Sequence, residues 1–180
     1  MTNTGRYIRA VLWDMDGTLM DSQPLWDEFF RRCCQERGGT VTPEQVAGIA
    51  GASIARTCEL IAETGATASP EDPATAEVFA KISAQVEAAV RADPPILPGA
   101  RNITATLNEV GLAQVIVTQS PRPIVEAVAH ALGDVFVELV TGDDGLPGKP
   151  TPAPYAAAIE RLGLRPEECV AVEDSATGAA

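Results

Sequence analysis

Positive charge is scarce in this sequence. Its 180 residues contain 13 lysines and arginines against 25 aspartates and glutamates, which gives a formal net charge of −12. No basic stripe is present that could neutralise phosphates, so we expect neither a nucleic acid nor an anionic membrane as a partner. No apolar run is long enough to predict a membrane span. Residues 1–9 are too polar for a secretory signal peptide, which favours a cytoplasmic protein.

Cysteine is also rare. The four cysteines stand at positions 33, 34, 58 and 169, and no CxxC pair occurs among them. This spacing indicates neither a zinc site nor a disulfide framework, and it favours a reduced environment. Internal repeats and low-complexity segments are missing as well. Apolar residues, in contrast, make up 46% of the chain, which is enough for one core, or for a core and a small inserted domain.

Short apolar runs alternate with helical patterns through much of the chain. The runs lie at 8–13, 115–117, 135–140 and 169–172, and helical patterns lie between the later ones at 100–110, 123–132 and 154–162. Continuous apolar runs are typical of strands that are buried on both faces of a parallel sheet. The alternation predicts a doubly wound, Rossmann-like α/β fold.

The segment after Asp21 interrupts this alternation. It contains no strand candidate, and its helical patterns lie at 25–37, 53–64 and 75–92. A stretch of this length is in the size range of a small domain. We therefore expect residues 23–94 to form an inserted all-helical cap domain, and residues 1–22 and 95–180 to form the α/β core. The proline-rich segment DPPILPGA, at 93–100, is stiff enough to act as the hinge.

Two aspartates stand at the end of the first predicted strand, in the stretch AVLWDMDGTLMD. Side chains alternate along a strand, so Asp14 and Asp16 share one face. Repulsion between two carboxylates in contact near a protein surface costs on the order of 4 kcal/mol. A metal, a proton or a reaction must offset that cost.

Other polar residues follow the later strands. Thr118 comes after the second strand, Lys149 lies in the loop after the third, and Glu173 and Asp174 follow the fourth. In an open α/β sheet, ligands bind beyond the carboxyl ends of the strands, so these groups should converge with the first two aspartates. Mg²⁺ prefers oxygen ligands and commonly binds one or two carboxylates together with phosphate oxygens. The set therefore predicts a magnesium site.

Three other interpretations deserve comparison. Asp-Gly after a strand is often only a turn. An EF-hand loop also begins with spaced acids, but here the glycine comes two places early and Leu25 stands at the position of the closing glutamate. GDDGLPGK resembles a Walker loop, but its spacing is wrong and Pro150 replaces the metal-binding serine or threonine. The order of all the polar groups along the chain favours the magnesium site.

Four motifs, DMDGT, VTQS, GKP and VEDS, follow one another at these strand ends. Together with PTPAPY after the lysine, they resemble the motifs of the haloacid dehalogenase superfamily. The similarity covers essentially the whole chain and is to the branch with a helical cap after the first strand, subfamily I, which includes phosphoglycolate phosphatases and β-phosphoglucomutases. Members have five core strands in the order 5-4-1-2-3. The sequence stops where a helix is expected after the fourth strand, so we expect a truncated C-terminus without the last strand.

The resemblance implies a Mg²⁺-dependent phosphatase that forms an aspartyl-phosphate. Asp14 would be the nucleophile, and Asp16 would protonate the leaving oxygen and later activate water. Thr118 and Lys149 would hold phosphoryl oxygens. Asp174, helped by Glu173, would bind Mg²⁺ with Asp14 and the backbone carbonyl of Asp16. The substrate would be a small phosphorylated metabolite such as a sugar phosphate.

Substrate contacts are expected from both the core and the cap. The candidates are Thr118, Gln119 and Lys149 in the core, and Trp26, Gly51, Ser53 and Arg56 in the cap. We expect the protein to be a monomer or a weak dimer.

Two alternatives remain. The β-phosphoglucomutases of the superfamily carry a histidine where Trp26 stands here, and an arginine three residues after a cap glycine, where Ile54 follows Gly51; Arg56 is close but out of step. These departures favour a phosphatase over a mutase. The second alternative is a non-catalytic or incompletely folded fragment, which would keep the motifs without the last strand.

Overall fold

A parallel four-stranded sheet forms the centre of the fold in the computed structural model, which describes residues 7–175 and 178. Its strands are β1 (Ala10–Trp13), β2 (Ala113–Val117), β3 (Glu138–Val140) and β4 (Cys169–Val172), in the spatial order β3-β2-β1-β4. In the register of the central strand, Leu12 lies opposite Val115 on one side and Ala171 on the other. The predicted strands 1, 2, 3 and 4 therefore pair in parallel.

Helices cover both faces of this sheet. The helices that follow β1 in the second half of the chain are α5 (Ala100–Glu109), α6 (Arg122–Ala131) and α7 (Ala153–Leu162). Alternation along β1 sends Val11 and Trp13 into one apolar cluster and Leu12 into another, where it packs with Val115 and Ala158 of α7. A sheet buried on both faces confirms the predicted α/β fold class.

Four helices lie between β1 and α5 in the chain: α1 (Gln23–Glu36), α2 (Pro43–Ala47), α3 (Ile54–Glu63) and α4 (Pro73–Ala92). α1 and α3 both pack against α4, and α4 also packs against α6. Phe30 of α1 and Ile82 of α4 belong to the same buried cluster as Trp13 of the sheet. None of the helices within 7–175 is long and apolar enough to cross a membrane.

The two chain segments that enter and leave this helical region run beside each other. The amide of Leu97 donates to the carbonyl of Leu19, and the amide of Asp21 donates to the carbonyl of Pro95, both at 2.9 Å. Met20 and Ile96 form an antiparallel bridge between them. This pairing lies at the expected boundary between cap and core, although the division into two domains stays a prediction.

Two elements differ from the sequence-based expectation. Helix α2 was not predicted, although Thr42 and Gln45 form a capping box at its start, a pattern that sequence can reveal. The third strand begins at Glu138 rather than at residue 135, because left-handed residues Gly133 and Asp134 turn the chain out of α6 and its first bond to β2 comes from the amide of Val137. The helix expected after β4 falls on residues that are mostly outside the described ones.

Candidate active site

A cavity of about 390 Å³ opens at the carboxyl ends of the strands, between the sheet and helices α1–α4. From the sheet side it is lined by Asp14, Asp16, Thr118, Gln119, Lys149 and Asp174. From the helical side it is lined by Trp26, Ile49, Gly51, Ile54 and Phe79. Most of the residues predicted to form the site therefore border one space.

Asp14 is the most buried acid in this cavity. Its residue is 7% exposed, and its Oδ1 accepts a hydrogen bond from Lys149 Nζ at 2.6 Å. Its other oxygen, Oδ2, is buried and has no hydrogen-bond partner among the described residues. Burial raises the pKa of Asp14 to about 6, while the Lys149 ammonium opposes the rise and the carboxylates of Glu173 and Asp16 add to it. One oxygen of this carboxylate is therefore fixed by Lys149, and the other is free to bind a further group.

Lys149 joins two acids. Its ammonium lies 2.6 Å from Asp14 and 2.5 Å from Oε1 of Glu173, and its side chain is 6% exposed. The Tyr155 ring on α7 lies 5.1 Å from Lys149 Nζ, and the Tyr155 hydroxyl donates to the same oxygen of Glu173. Burial and the Glu173 carboxylate raise the pKa of Tyr155 above its usual range, so the hydroxyl keeps its proton. These contacts fix the position of the ammonium.

Asp16 lies beside Asp14 in the chain but has different partners. Ser22 donates to its Oδ1 at 2.5 Å, and Ser120 and Thr118 donate to its Oδ2 at 2.7 and 3.0 Å. The Thr118 hydroxyl also accepts from the amide of Ser120. Thr118 is therefore bound to Asp16 here, and its expected contact with a phosphoryl oxygen stays a prediction.

Three carboxylates in this site could hold a metal ion. One oxygen from each of Asp14, Glu173 and Asp174 lies within 4.8 Å of the others. Gly17 leaves the space that Asp174 needs, since a Cβ at that position would lie 2.1 Å from Asp174 Oδ2. The carboxylate of Asp16 is not part of this group. Its predicted contribution to the metal site was through its backbone carbonyl.

The residues expected to contact substrate from the cap are placed differently from one another. Trp26 and Gly51 line the cavity, and Gln119 Nε2 donates to the carbonyl of Gly51 at 2.8 Å. Ser53 caps α3 by accepting from the amide of Arg56 and borders a smaller neighbouring cavity. Arg56 binds Glu59 and Glu63 of its own helix at 2.7 and 2.8 Å. Its expected contact with substrate stays a prediction, and this ion pairing speaks against it.

Sequence reasoning missed three side chains that hold the site together: Ser22, Ser120 and Tyr155. Hydroxyl residues are common in loops and at helix starts, so neither serine stood out as a candidate. Ser120 lies two residues after Thr118, a spacing that in an extended segment places both side chains on one face. Tyr155 belongs to the PTPAPY stretch, but only the fold brings α7 against Lys149.

Comparisons with known proteins agree with this arrangement. A model of the family described as haloacid dehalogenase-like hydrolase matches residues 8–180. Hexitol phosphatase B of Escherichia coli (strain K12) is 31% identical over 98% of this chain and 79% of that protein. Hexitol phosphatase A of the same organism is 32% identical over 94% of this chain and 76% of its own length.

Among solved structures, CbbY from Rhodobacter sphaeroides in complex with phosphate superposes with a TM-score of 0.79 at 25% identity. The match covers 95% of this chain and 80% of that one. It confirms the fold, and the sequence matches confirm the predicted enzyme class, a hydrolase of this superfamily. The chain therefore belongs to the haloacid dehalogenase-like hydrolase family.

Proposed function

We propose that this protein is a Mg²⁺-dependent phosphatase that hydrolyses a small phosphorylated metabolite, such as a sugar phosphate, through an aspartyl-phosphate on Asp14. The observation that carries the proposal is the state of Asp14, a buried carboxylate with one oxygen bound to Lys149 and the other without a partner among the described residues. Relatives named as hexitol phosphatases support the same reaction. The cavity volume of about 390 Å³ suits a small molecule and not a polymer.

In the first step, an oxygen of Asp14 would attack the phosphorus of the substrate while the bond from phosphorus to the leaving oxygen breaks. Lys149 is positioned to orient Asp14 and to balance negative charge, because its ammonium already contacts that carboxylate. Tyr155 and Glu173 hold the ammonium in place. Phosphoryl transfer depends mainly on such positioning and electrostatic stabilisation.

Asp16 would supply the proton for the leaving oxygen. In the second step its carboxylate would take a proton from water, which attacks the aspartyl-phosphate to release inorganic phosphate and regenerate Asp14. The hydroxyls of Ser22, Thr118 and Ser120 support this role because they fix the direction of the carboxyl group. A general acid or base must be held within reach of the proton that it moves.

The donor set fits Mg²⁺. Asp14, Glu173 and Asp174 supply carboxylate oxygens, which Mg²⁺ prefers, and one oxygen of each lies within 4.8 Å of the others. We assign Asp14 and Asp174 as the main ligands, because Glu173 is bound to Lys149 and Tyr155. When bound, the ion would neutralise negative charge on the phosphoryl group.

A phosphosugar mutase is less well supported. Trp26 and Ile54 both line the cavity, and they stand where the mutases of the superfamily carry a histidine and an arginine. Given β-glucose 1-phosphate and the corresponding bisphosphate, the protein should release inorganic phosphate. Rapid formation of glucose 6-phosphate without phosphate release would favour the mutase instead.

The experiment that tests the proposal is phosphate release from a panel of sugar and alcohol phosphates with Mg²⁺, combined with trapping of the intermediate. Asp14→Asn should abolish turnover and should prevent labelling of the acid-quenched protein by radioactive substrate phosphate. Glu109→Gln is the matched control, because it removes an exposed carboxylate at the end of α5. Turnover by Asp14→Asn near that of the control, in protein shown to be free of deamidation, would overturn the mechanism.

A further inference from the structure

Negatively charged residues outnumber positively charged ones in the lining of the cavity. Of the lining residues that the structure describes, Lys149 has the only positively charged side chain, while Asp14, Asp16, Asp21 and Asp174 are acids. A phosphate monoester brings its own negative charge to the end of the cavity where Lys149 and the proposed metal ligands lie. A second anionic group on the same substrate would have to lie elsewhere in the cavity.

Lys149 has no free capacity for a second anion. Its ammonium has carboxylate partners at 2.6 and 2.5 Å, Asp14 and Glu173. A lysine ammonium has three hydrogen-bond donors, so two carboxylates and one phosphoryl oxygen would use all of them. The ammonium of Lys149 therefore balances negative charge at the phosphoryl end and not elsewhere in the cavity.

Two arginines of neighbouring helices are also bound to acidic side chains. Arg56, on the first turn of α3, is bound to Glu59 and Glu63 and does not line the cavity. Arg122, at the start of α6, binds Asp144 at 2.8 Å, and this carboxylate is 7% exposed. Neither arginine lines the cavity, so neither is placed to balance an anion that lies beyond the phosphate.

The lining contributed by the helical side suits an uncharged group. Trp26, Ile49 and Phe79 supply apolar surface, as does the small side chain of Ala50. Asp21, which has no ion-pair partner among the described residues, adds a carboxylate that can accept hydrogen bonds from hydroxyls. The same carboxylate would repel a second phosphate or a carboxylate, because like charges that face each other are unfavourable.

We infer that the site accepts phosphate monoesters whose leaving group is an uncharged polyol or sugar, and that it discriminates against substrates with a second phosphate or a carboxylate. The inference rests on the proposed phosphatase function, because it assigns the phosphoryl end to Lys149. The charge of the rest of the cavity then defines which leaving groups the site accepts.

Matched substrate pairs test this discrimination. Glucitol 6-phosphate and gluconate 6-phosphate share a six-carbon chain and differ in a terminal alcohol or carboxylate. Fructose 6-phosphate and fructose 1,6-bisphosphate differ in a second phosphate. The member of each pair without a second anionic group should have a kcat/KM at least about tenfold higher at low salt. The ratio should fall as KCl is added, since salt screens charges in an open cavity. Equal kcat/KM values within both pairs would overturn the inference.

A charge placed on the helical side gives a second test. Ala50 is exposed and lines the cavity, so a longer side chain there should not disturb the core. Ala50→Lys should narrow the ratio within each pair by raising kcat/KM for the member with the second anionic group. Ala50→Gln, of similar length but uncharged, should leave the ratio near that of the unchanged protein. If both variants shift the ratio equally, charge does not determine it and the inference fails.

A binding measurement can test this inference even if the proposed phosphatase function fails. If no phosphate monoester is hydrolysed with Mg²⁺ present, the proposed phosphatase function fails. Calorimetric titration of the Asp14→Asn protein with glucitol 6-phosphate and gluconate 6-phosphate still measures discrimination without turnover. Tighter binding of the alcohol supports the inference, whereas equal binding, or tighter binding of the acid, overturns it.

Discussion

The sheet side and the helical side of the cavity are built on different principles. On the sheet side, Lys149 links Asp14 to Glu173, and Tyr155 donates to Glu173 in turn. On the helical side, Trp26 and its apolar neighbours provide shape without fixed charge. The hydrogen bond from Gln119 to the carbonyl of Gly51 crosses between the two sides. On the proposed function, the chemistry would take place where strands fix the backbone, and the helical side would select the substrate.

The two aspartates of the first motif repeat this contrast on a smaller scale. Asp14 has an ammonium on one oxygen and nothing on the other among the described residues. Asp16 has hydroxyl donors on both oxygens. A carboxylate with a free oxygen suits attack on phosphorus, whereas one held by neutral donors suits proton transfer. Substitutions at these residues should separate the two roles, and after Asp14→Asn the largest effect on turnover is expected at Asp16.

Asp16→Asn should lower kcat/KM by about 10²- to 10⁴-fold, because an amide cannot supply the proton that general acid catalysis requires. The loss should be smaller for p-nitrophenyl phosphate than for a sugar phosphate, since its leaving group needs little protonation. Steady-state kinetics with both substrates measures the two losses.

Glu109→Gln is again the matched control for removal of a carboxylate. If the loss were the same for both substrates, Asp16 would act on the position of Asp14 rather than on the leaving group.

Asp14→Asn should stabilise the metal-free protein while it abolishes turnover. The pKa of Asp14 is about 6 in the fold against a usual value of 3.8, so the folded state binds more protons than the unfolded state between these values. The unfolding free energy therefore falls as pH rises through this window. Asparagine at position 14 does not titrate, so the variant should not lose this part of its stability. The gain of the variant over the unchanged protein should be larger at pH 7 than at pH 4 by about 2 kcal/mol.

Urea unfolding with a chelator present, at both pH values, tests this effect. The exposed change Glu109→Gln should not alter the pH dependence to a similar degree. A gain for Asp14→Asn that is the same at both pH values would mean that the ionised Asp14 is not the source of the instability.

The sheet side was predictable because its residues are tied to strand ends. Acids directly after a buried strand, together with a lysine and an acidic pair after later strands, must meet at one edge of a parallel sheet. The pattern does not say which oxygen binds which donor. That depends on the loops, and it is why Ser22, Ser120 and Tyr155 could not be assigned from sequence.

The helical side was harder to predict, because helical periodicity says which face is buried and not what it faces. Arg56 illustrates the limit. Its expected contact with substrate stays a prediction, while in the structure it binds Glu59 and Glu63, which follow it by three and seven residues. Glu59 stands at a spacing that favours an ion pair on one helix face, so the sequence already indicated this competing contact. Trp26 and Gly51, by contrast, do line the cavity.

Asp174→Asn should weaken Mg²⁺ binding by more than the roughly tenfold that loss of an outer-shell partner of a metal site often costs. Ca²⁺ should inhibit turnover, because it takes more ligands in a looser geometry. Calorimetric titration with Mg²⁺ measures the affinity, and phosphate release in the presence of both ions measures the inhibition.

Glu173→Gln is the informative comparison for this change. Since Glu173 is bound to Lys149 and Tyr155, its loss should affect kcat more than Mg²⁺ affinity. Equal loss of Mg²⁺ affinity in both variants would make Glu173 a full metal ligand, and full activity after exhaustive chelation would remove the metal from the mechanism.

Gln119→Met should give the smallest effect, since it removes only the hydrogen bond between the two sides of the cavity. The bond from Gln119 Nε2 to the Gly51 carbonyl is 2.8 Å long, and a neutral hydrogen bond contributes about 0.5–1.5 kcal/mol net. Methionine keeps the length of the side chain without a donor. We expect KM to rise by up to about tenfold for this free energy, with kcat less affected, because the loop at Gly51 is then less firmly held over the cavity.

The close approach of Gly148 to the Gln119 side chain allows a second test of this hydrogen bond. Gly148 borders the Gln119 amide so closely that a Cβ there would lie 2.2 Å from Gln119 Oε1. Gly148→Ala should therefore displace the amide without changing its chemistry, and it should raise KM in the same direction as Gln119→Met. In the double variant the two effects should not add, because both act through one hydrogen bond. Additive effects would show that the two changes act independently and not through this one hydrogen bond.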